Sequence, residues 1–91
     1  MDTQEKRKIL ESYRWNSLEI QESRTSRLEE LVEQNRKIEK AIDEVKNQKE
    51  RLALTNLYLN NKKQEKAAEE MNYAVKHFQK ILSDGVKNIK L

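Results

Sequence analysis

Apolar residues recur every seven positions through the middle of the chain. With Leu28 at position a of a heptad, every d position is apolar: Leu31, Ile38, Val45, Leu52 and Leu59. The corresponding a positions mix apolar and polar side chains: Leu28, Asn35, Ile42, Lys49 and Asn56. A heptad pattern sustained over roughly five repeats predicts a coiled-coil helix that buries this seam against another helix.

A second heptad series follows, and it is out of phase with the first. Its a positions are Leu54, Asn61, Ala68, Val75, Leu82 and Ile89, and its d positions are Leu57, Gln64, Met71 and Phe78. The second series is advanced by five residues, whereas a stutter or a stammer corresponds to an insertion of four or three. The sequence therefore predicts a break or a change of phase near residues 60–63, where Asn-Asn-Lys-Lys is the most turn-like stretch.

Capping patterns mark where helices are expected to begin and end. Asp2 followed by Glu5 fits a capping box, which predicts a helix start at about residue 3. Ser-Arg-Thr-Ser at 23–26 is a weaker helical stretch, but it contains no glycine or proline, so a continuous helix is favoured there. Gly85 suits the left-handed position after a helix, and residues 86–91 are then a short tail.

Two architectures fit these patterns within one small unit of 91 residues. In the first, one helix runs almost unbroken, and eighty helical residues would reach roughly 120 Å. In the second, a long helix over 3–59 turns back into a shorter helix over 65–83. The predicted fold class is all-α: an extended coiled coil, either one long helix or a long–short helical hairpin, with the rod favoured.

Composition favours helices that need a partner. Charged residues make up 38% of the chain and hydrophobic residues 35%, and there is one glycine and no proline. Such a polar chain of strong helix formers covers a globular core poorly, but it suits amphipathic helices that pack against others. Absence of cysteine excludes disulfides, and no apolar run is long enough for a membrane span. An intracellular protein, cytoplasmic or nuclear, is expected.

The charge is uneven along the chain. Residues 1–45 hold nine basic and eleven acidic side chains, a net charge of −2, whereas residues 46–91 hold ten and five, a net of +5. The basic second half is compatible with an acidic protein surface, nucleic acid or anionic lipid. A solvated helix surface explains the same pattern and is favoured.

The sequence predicts no catalytic, cofactor-binding or metal site. His77 is the single histidine, and neither a cysteine nor a second histidine accompanies it. Adjacent carboxylates such as Glu29 and Glu30 diverge around a helix axis and do not converge on one substrate. Trp15, the single tryptophan, has two interpretations of equal weight: an anchor for an interface, or a ring packed within the same bundle.

The predicted function is therefore that of a non-enzymatic structural or adaptor subunit, which assembles with other helices in a larger complex. The expected partner-helix seam comprises Leu28, Leu31, Asn35, Ile38, Ile42, Val45, Leu52, Leu54, Leu57, Met71, Val75, Phe78 and Leu82. Because Asn35, Lys49 and Asn56 place polar groups in that seam, a hetero-oligomer is favoured over a homodimer. The alternative is a basic helical protein that binds nucleic acid or an anionic membrane.

Overall fold

Helices account for nearly all of the regular structure in the part of the chain that the computed structural model describes, residues 1–22 and 26–91. The α-helices are α1 (Thr3–Glu22), α2 (Leu28–Asp43), α3 (Gln48–Leu54), α4 (Gln64–Glu70) and α5 (Val75–Asn88). A π-helical turn, Thr55–Leu59, continues directly from α3. The all-α class predicted from the sequence is confirmed.

Helix α1 begins where the capping pattern predicts. The backbone N–H of Glu5 donates to Oδ1 of Asp2 at 2.8 Å, and the helix starts at Thr3. This bond satisfies one of the N–H groups that the first turn of a helix leaves without a backbone partner. The start of α1 is therefore determined by residues that are neighbours in the sequence.

Helices α1 and α2 pack against each other as an antiparallel hairpin. Asn16 bonds to Asn35 and Tyr13 bonds to Glu39, so the two helices run in opposite directions. The expected continuous helix through 23–26 falls largely on residues 23–25, which lie outside the described residues. Within the described residues, 26 and 27 form a turn, and α2 begins at Leu28.

Further breaks divide the remainder of the predicted rod, and two of them use left-handed asparagines. Asn61 has φ 55° and Asn72 has φ 61°. After α4, the N–H of Asn72 donates to the carbonyl of Glu69, and the N–H of Tyr73 donates to that of Ala68. These two bonds form a Schellman motif, which satisfies the last carbonyls of the helix. Asparagine tolerates this backbone region better than most residues, so it ends a helix much as glycine does.

The separate helices bury one shared core. Helix α3 packs against α5, and α1 contacts both α5 and the π-helical turn. The largest side chains with almost no exposure are Phe78, Leu10, Ile42, Leu54, Leu82, Ile89 and Val86. The radius of gyration is 13.5 Å and the longest extent is 42 Å. A compact chain of this length has a radius of gyration of about 12 Å.

The extended coiled coil and the long–short hairpin are therefore not confirmed, and a compact multi-helix bundle stands in their place. The rod of roughly 120 Å is about three times the longest extent of the bundle. The physical reason is that the helix breaks let the apolar face of each segment pack against other segments of the same chain. Most apolar positions of both heptad series are thereby covered within the chain, and Leu52 and Val75 are the exposed exceptions.

Gly85 lies inside α5 and does not end it, so its expected role as a left-handed cap is wrong. Helix α5 continues to Asn88, and no described glycine has a positive φ. A Cβ atom on Gly85 would lie 3.2 Å from Cβ of Glu50 and 3.2 Å from Cδ1 of Leu54. The glycine therefore permits the close approach of α5 to α3. Residues 86–91, expected as a tail, contribute the buried side chains of Val86 and Ile89.

Candidate functional site

The residues of the predicted partner seam are mostly inside the chain. Eight are buried: Leu31, Asn35, Ile38, Ile42, Val45, Leu54, Phe78 and Leu82. Three are half-buried: Leu28, Leu57 and Met71. Leu52 and Val75 alone among them are exposed, at 44% and 37%. The structure brings residues of both heptad series into one core cluster, so most of the seam contacts this same chain and is not free to contact a partner.

Asn35 shows how a polar seam residue is satisfied within the bundle. Its Oδ1 accepts from Nδ2 of Asn16 at 3.1 Å, and its Nδ2 donates to Oγ of Ser17 at 3.1 Å and to the carbonyl of Tyr13 at 3.3 Å. Asn16 also donates to Oε1 of Gln34 at 3.2 Å. This amide cluster connects α1 to α2, so the polar layer specifies pairing between two helices of one chain. Sequence reasoning missed Asn16, although it too is a polar residue within an apolar helix face.

Trp15 is the largest apolar side chain that the described structure leaves in solvent. It is 64% exposed, and Leu18, three residues later on α1, is 41% exposed. Residues three apart lie on the same side of a helix, so the two side chains extend one surface. The Arg14 guanidinium carbon lies 5.8 Å from the centroid of the Trp15 ring, within the range of a cation–π contact. The indole is therefore not packed within the bundle, and its role as an interface anchor stays a prediction.

A shallow cleft of about 320 Å³ lies beside this tryptophan, between α1 and the π-helical turn. Its lining residues are Leu10, Glu11, Arg14, Trp15, Leu57, Tyr58, Asn61 and Lys62. We call these residues the Trp15 surface, together with Leu18, with Arg7, which interacts with Tyr58, and with Glu70, which pairs with Lys62. Helix α1 supplies one wall, and the other comes from the segment where α3 widens into its π-helical turn. Such turns occur frequently at functional sites in helical proteins.

Tyr58 is the polar centre of the Trp15 surface. Burial raises the pKa of its phenol; nearby Arg7 lowers it, and Glu11 raises it further. The phenol is therefore protonated at neutral pH and keeps its O–H as a hydrogen-bond donor. Lys62 forms an ion pair with Glu70, and this hydrogen bond lowers the pKa of the Glu70 carboxyl.

Folding also brings together two basic clusters that are distant in the sequence. Arg7 belongs to the first cluster, residues 6–8, and Lys62 belongs to the second, at 62–66. Both lie at the Trp15 surface, since Arg7 interacts with Tyr58 and Lys62 lines the cleft. Sequence reasoning identified Trp15 but missed Arg14 and Tyr58 as its neighbours, because their proximity depends on the packing of the π-helical turn on α1.

Other chemical features are sparse in the part of the chain that the structure describes. His77 is exposed, and its ring centroid lies 4.7 Å from that of Tyr73 in a tilted arrangement. Residues 1–22 and 26–91 contain no group of three or more histidine, cysteine, aspartate or glutamate side chains placed to hold a metal ion. None of the helices in these ranges is long and apolar enough to cross a membrane.

Comparison with known proteins adds no relative. No protein-family model matches the chain, and no significant match was found among curated proteins or among solved structures.

Proposed function

We propose that this protein is a non-enzymatic structural or adaptor subunit, which binds other helical protein chains in a larger complex through the Trp15 surface. The observation that carries the proposal is the 64% exposure of Trp15 beside a cleft. An indole left in water adds little to the stability of the chain's own core. Contact with a partner gives that indole an apolar environment.

The composition of the Trp15 surface supports this proposal. Tryptophan, tyrosine and arginine are the residues that contribute most often to binding energy at protein interfaces. Trp15, Tyr58 and Arg14 all line the same cleft. Trp15 and Leu18, about one helical turn apart, offer a short ridge against which a partner helix packs. This is a helix–helix contact of about two turns on the outside of the bundle, in place of the long coiled-coil seam.

A different chain is a better partner than a second copy, as the sequence also led us to expect, but for another reason. Asn35 no longer argues for a hetero-oligomer, since it is buried within the chain. The Trp15 surface itself carries Arg7, Arg14 and Lys62, against the carboxylates of Glu11 and Glu70. Two copies placed face to face would bring an excess of cations together. An acidic helix from a different chain complements this surface.

The test compares three versions of the full chain as affinity baits in an extract of the native source: wild type, Trp15→Ala and Leu52→Ala. Leu52 is the matched control, because it is a second exposed apolar residue on another helix. For each captured protein, binding to all three versions is then measured by isothermal titration calorimetry, and the fluorescence of Trp15, the single tryptophan, is followed in the wild type and in Leu52→Ala. We expect a blue shift on binding, since the indole leaves water.

Trp15→Ala should weaken that binding about thirtyfold or more, the effect of losing an interface residue that contributes about 2 kcal/mol. Leu52→Ala should leave it within about threefold. Equal binding by wild type and Trp15→Ala, with circular dichroism showing that both are folded, would reject the Trp15 surface as the interface. Sedimentation of the wild type alone as a stable dimer would reject the preference for a different partner.

Single-stranded nucleic acid is a second candidate partner, because aromatic and cationic side chains adjoin at the same surface. Bases stack on aromatic rings while lysine and arginine contact phosphates, and such binding falls steeply with salt. A titration with oligonucleotides of mixed sequence, followed by Trp15 fluorescence in low and in high salt, decides between the two. Tight binding that weakens strongly with salt would favour nucleic acid over the helical partner.

A further inference from the structure

A second cleft lies elsewhere on the bundle, between α1, α2 and the residues that follow α5. Its volume is about 630 Å³, within the range of small-molecule sites, and none of its lining residues lines the cleft beside Trp15. Its walls come from Ile9 and Ser12 of α1, from the outer side of α2, and from Lys90 and Leu91.

The floor of this cleft is aliphatic. Ile38 and Ala41 of α2 are almost fully buried beneath it, and Ile9 and Leu91 are half-buried at its sides. Branched and small aliphatic side chains offer an apolar surface without the flat face that an aromatic ligand would need for stacking. The floor therefore suits a flexible hydrocarbon chain.

The rim of the cleft is cationic. Lys37, Lys40 and Lys90 line it and are exposed, and a lysine at such a rim can cover apolar surface with its aliphatic stem while its ammonium group stays in water. Glu44 is the one carboxylate side chain among the lining residues, and its Oε1 lies 4.0 Å from Nζ of Lys40. Lys37 and Lys90 are left as the cations best able to meet an anionic group.

We propose that this cleft binds a free medium-chain aliphatic carboxylate, with the hydrocarbon chain on the floor of Ile38 and Ala41 and the carboxylate between Lys37 and Lys90. The positive charge of the lysines favours an anionic head group on the ligand, and the aliphatic floor favours a hydrocarbon tail. This site is independent of the Trp15 surface, so each proposal can fail without the other.

The first experiment titrates the full chain with hexanoate, octanoate and decanoate below their micelle concentrations, followed by the amide chemical shifts of the protein. Each added methylene should tighten binding about fourfold, the fold-change that corresponds to about 0.8 kcal/mol per buried methylene. Shifts should concentrate at Ile38, Ala41 and Leu91. Shifts scattered over the whole surface, or confined to the Trp15 surface, would overturn the proposal.

The second experiment tests the head group. Decanoate should bind more tightly than its methyl ester, and decyltrimethylammonium should bind weakest. If decanoate and decyltrimethylammonium bound with equal affinity, the lysines would not contact the head group, and the proposed site would be overturned. Binding to vesicles that contain decanoate, without binding to the monomeric acid, would place recognition at a membrane surface and would overturn it as well.

The third experiment uses matched charge reversals. Lys37→Glu combined with Lys90→Glu should weaken decanoate binding about tenfold or more, since exposed ion pairs contribute up to about 1 kcal/mol each. Lys63→Glu combined with Lys76→Glu changes the net charge equally at exposed positions outside the cleft, and it should leave affinity within about twofold. All four lysines are exposed, so both variants should fold. If both double variants weakened decanoate binding equally, net charge alone would explain the effect, and the proposed site would be rejected.

Discussion

Replacing Asn35 by alanine perturbs the polar contact that joins α1 to α2. The side chain is 6% exposed and takes part in three hydrogen bonds, with Asn16, Ser17 and the carbonyl of Tyr13. A buried hydrogen bond contributes a net of about 0.5–1.5 kcal/mol. One of the three is long, at 3.3 Å, and alanine also leaves a small void. We expect Asn35→Ala to lower the free energy of unfolding by about 2–3 kcal/mol.

A double-mutant cycle assigns that loss to the amide pair. Asn16→Ala should cost less than Asn35→Ala, since the side chain of Asn16 bonds to Asn35 and to Gln34, whereas that of Asn35 makes three bonds. The double variant removes both amides, so neither is left buried without its hydrogen-bond partner. Its loss of stability should therefore be about 1 kcal/mol smaller than the sum of the losses of the two single variants. Asn60→Ala is the matched control, because Asn60 is exposed and its bond to Asn56 is 3.4 Å long.

Urea and thermal unfolding followed by helical circular dichroism measure these changes. For a domain of this size 1 kcal/mol corresponds to about 4–8 °C, so Asn35→Ala should lower the melting temperature by roughly 10–20 °C. The Asn60 control should change stability by less than about 0.5 kcal/mol. Additive losses in the cycle, to within about 0.5 kcal/mol, would refute the proposed contact.

Asn35→Leu tests the same residue through oligomeric state. If Asn35 lay in a seam between chains, as its heptad position suggested, leucine there would strengthen self-association. Because Asn35 is buried against α1, we expect the sedimentation mass of the leucine variant to equal that of the wild type at the same concentration. A concentration-dependent dimer formed by the variant and not by the wild type would refute the intramolecular contact.

Two further predictions concern the packing of α5 on α3 and the titration of a tyrosine. Gly85→Ala gains about 1 kcal/mol of helix propensity. However, the new methyl lies 3.2 Å from Cβ of Glu50, which moves only with the backbone. We therefore expect the free energy of unfolding in urea to fall by up to about 2 kcal/mol. If the variant were instead more stable by about 1 kcal/mol, α3 and α5 would have to move apart without cost to admit the methyl. Burial raises the pKa of Tyr58 in the folded chain above that of an unfolded tyrosine, about 10. The buried phenol therefore stabilises the fold fully below pH ~10, and this stabilisation is lost as the pH rises further. Tyr58→Phe should therefore show a shallower decline of the unfolding free energy above that pH, and an unchanged slope would contradict the burial of this phenol.

Which side chains leave water was largely decided by local patterns. The heptad positions Leu31, Ile38 and Ile42 of α2 are buried, because a helix of any tertiary context places residues three and four apart on one face. The start of α1 at Thr3 was equally local, since Asp2 caps a backbone group three residues away. The all-α class follows from the same cause: strong helix formers with almost no glycine or proline.

What covers those side chains was decided by tertiary structure alone. The apolar face of a helix is buried equally well against another chain or against another segment of the same chain. Periodicity in the sequence therefore does not distinguish a rod from a bundle. The choice depended on breaks such as the one at Asn72, and asparagine accepts both helical and left-handed backbone, so its sequence signal is weak. Gly85 was ambiguous in the same way, because glycine serves a helix cap and a close helix crossing equally well. The sequence offered Trp15 both as an interface anchor and as a ring packed within the bundle, and only the packed chain decided that its indole is exposed, since exposure is a property of tertiary structure.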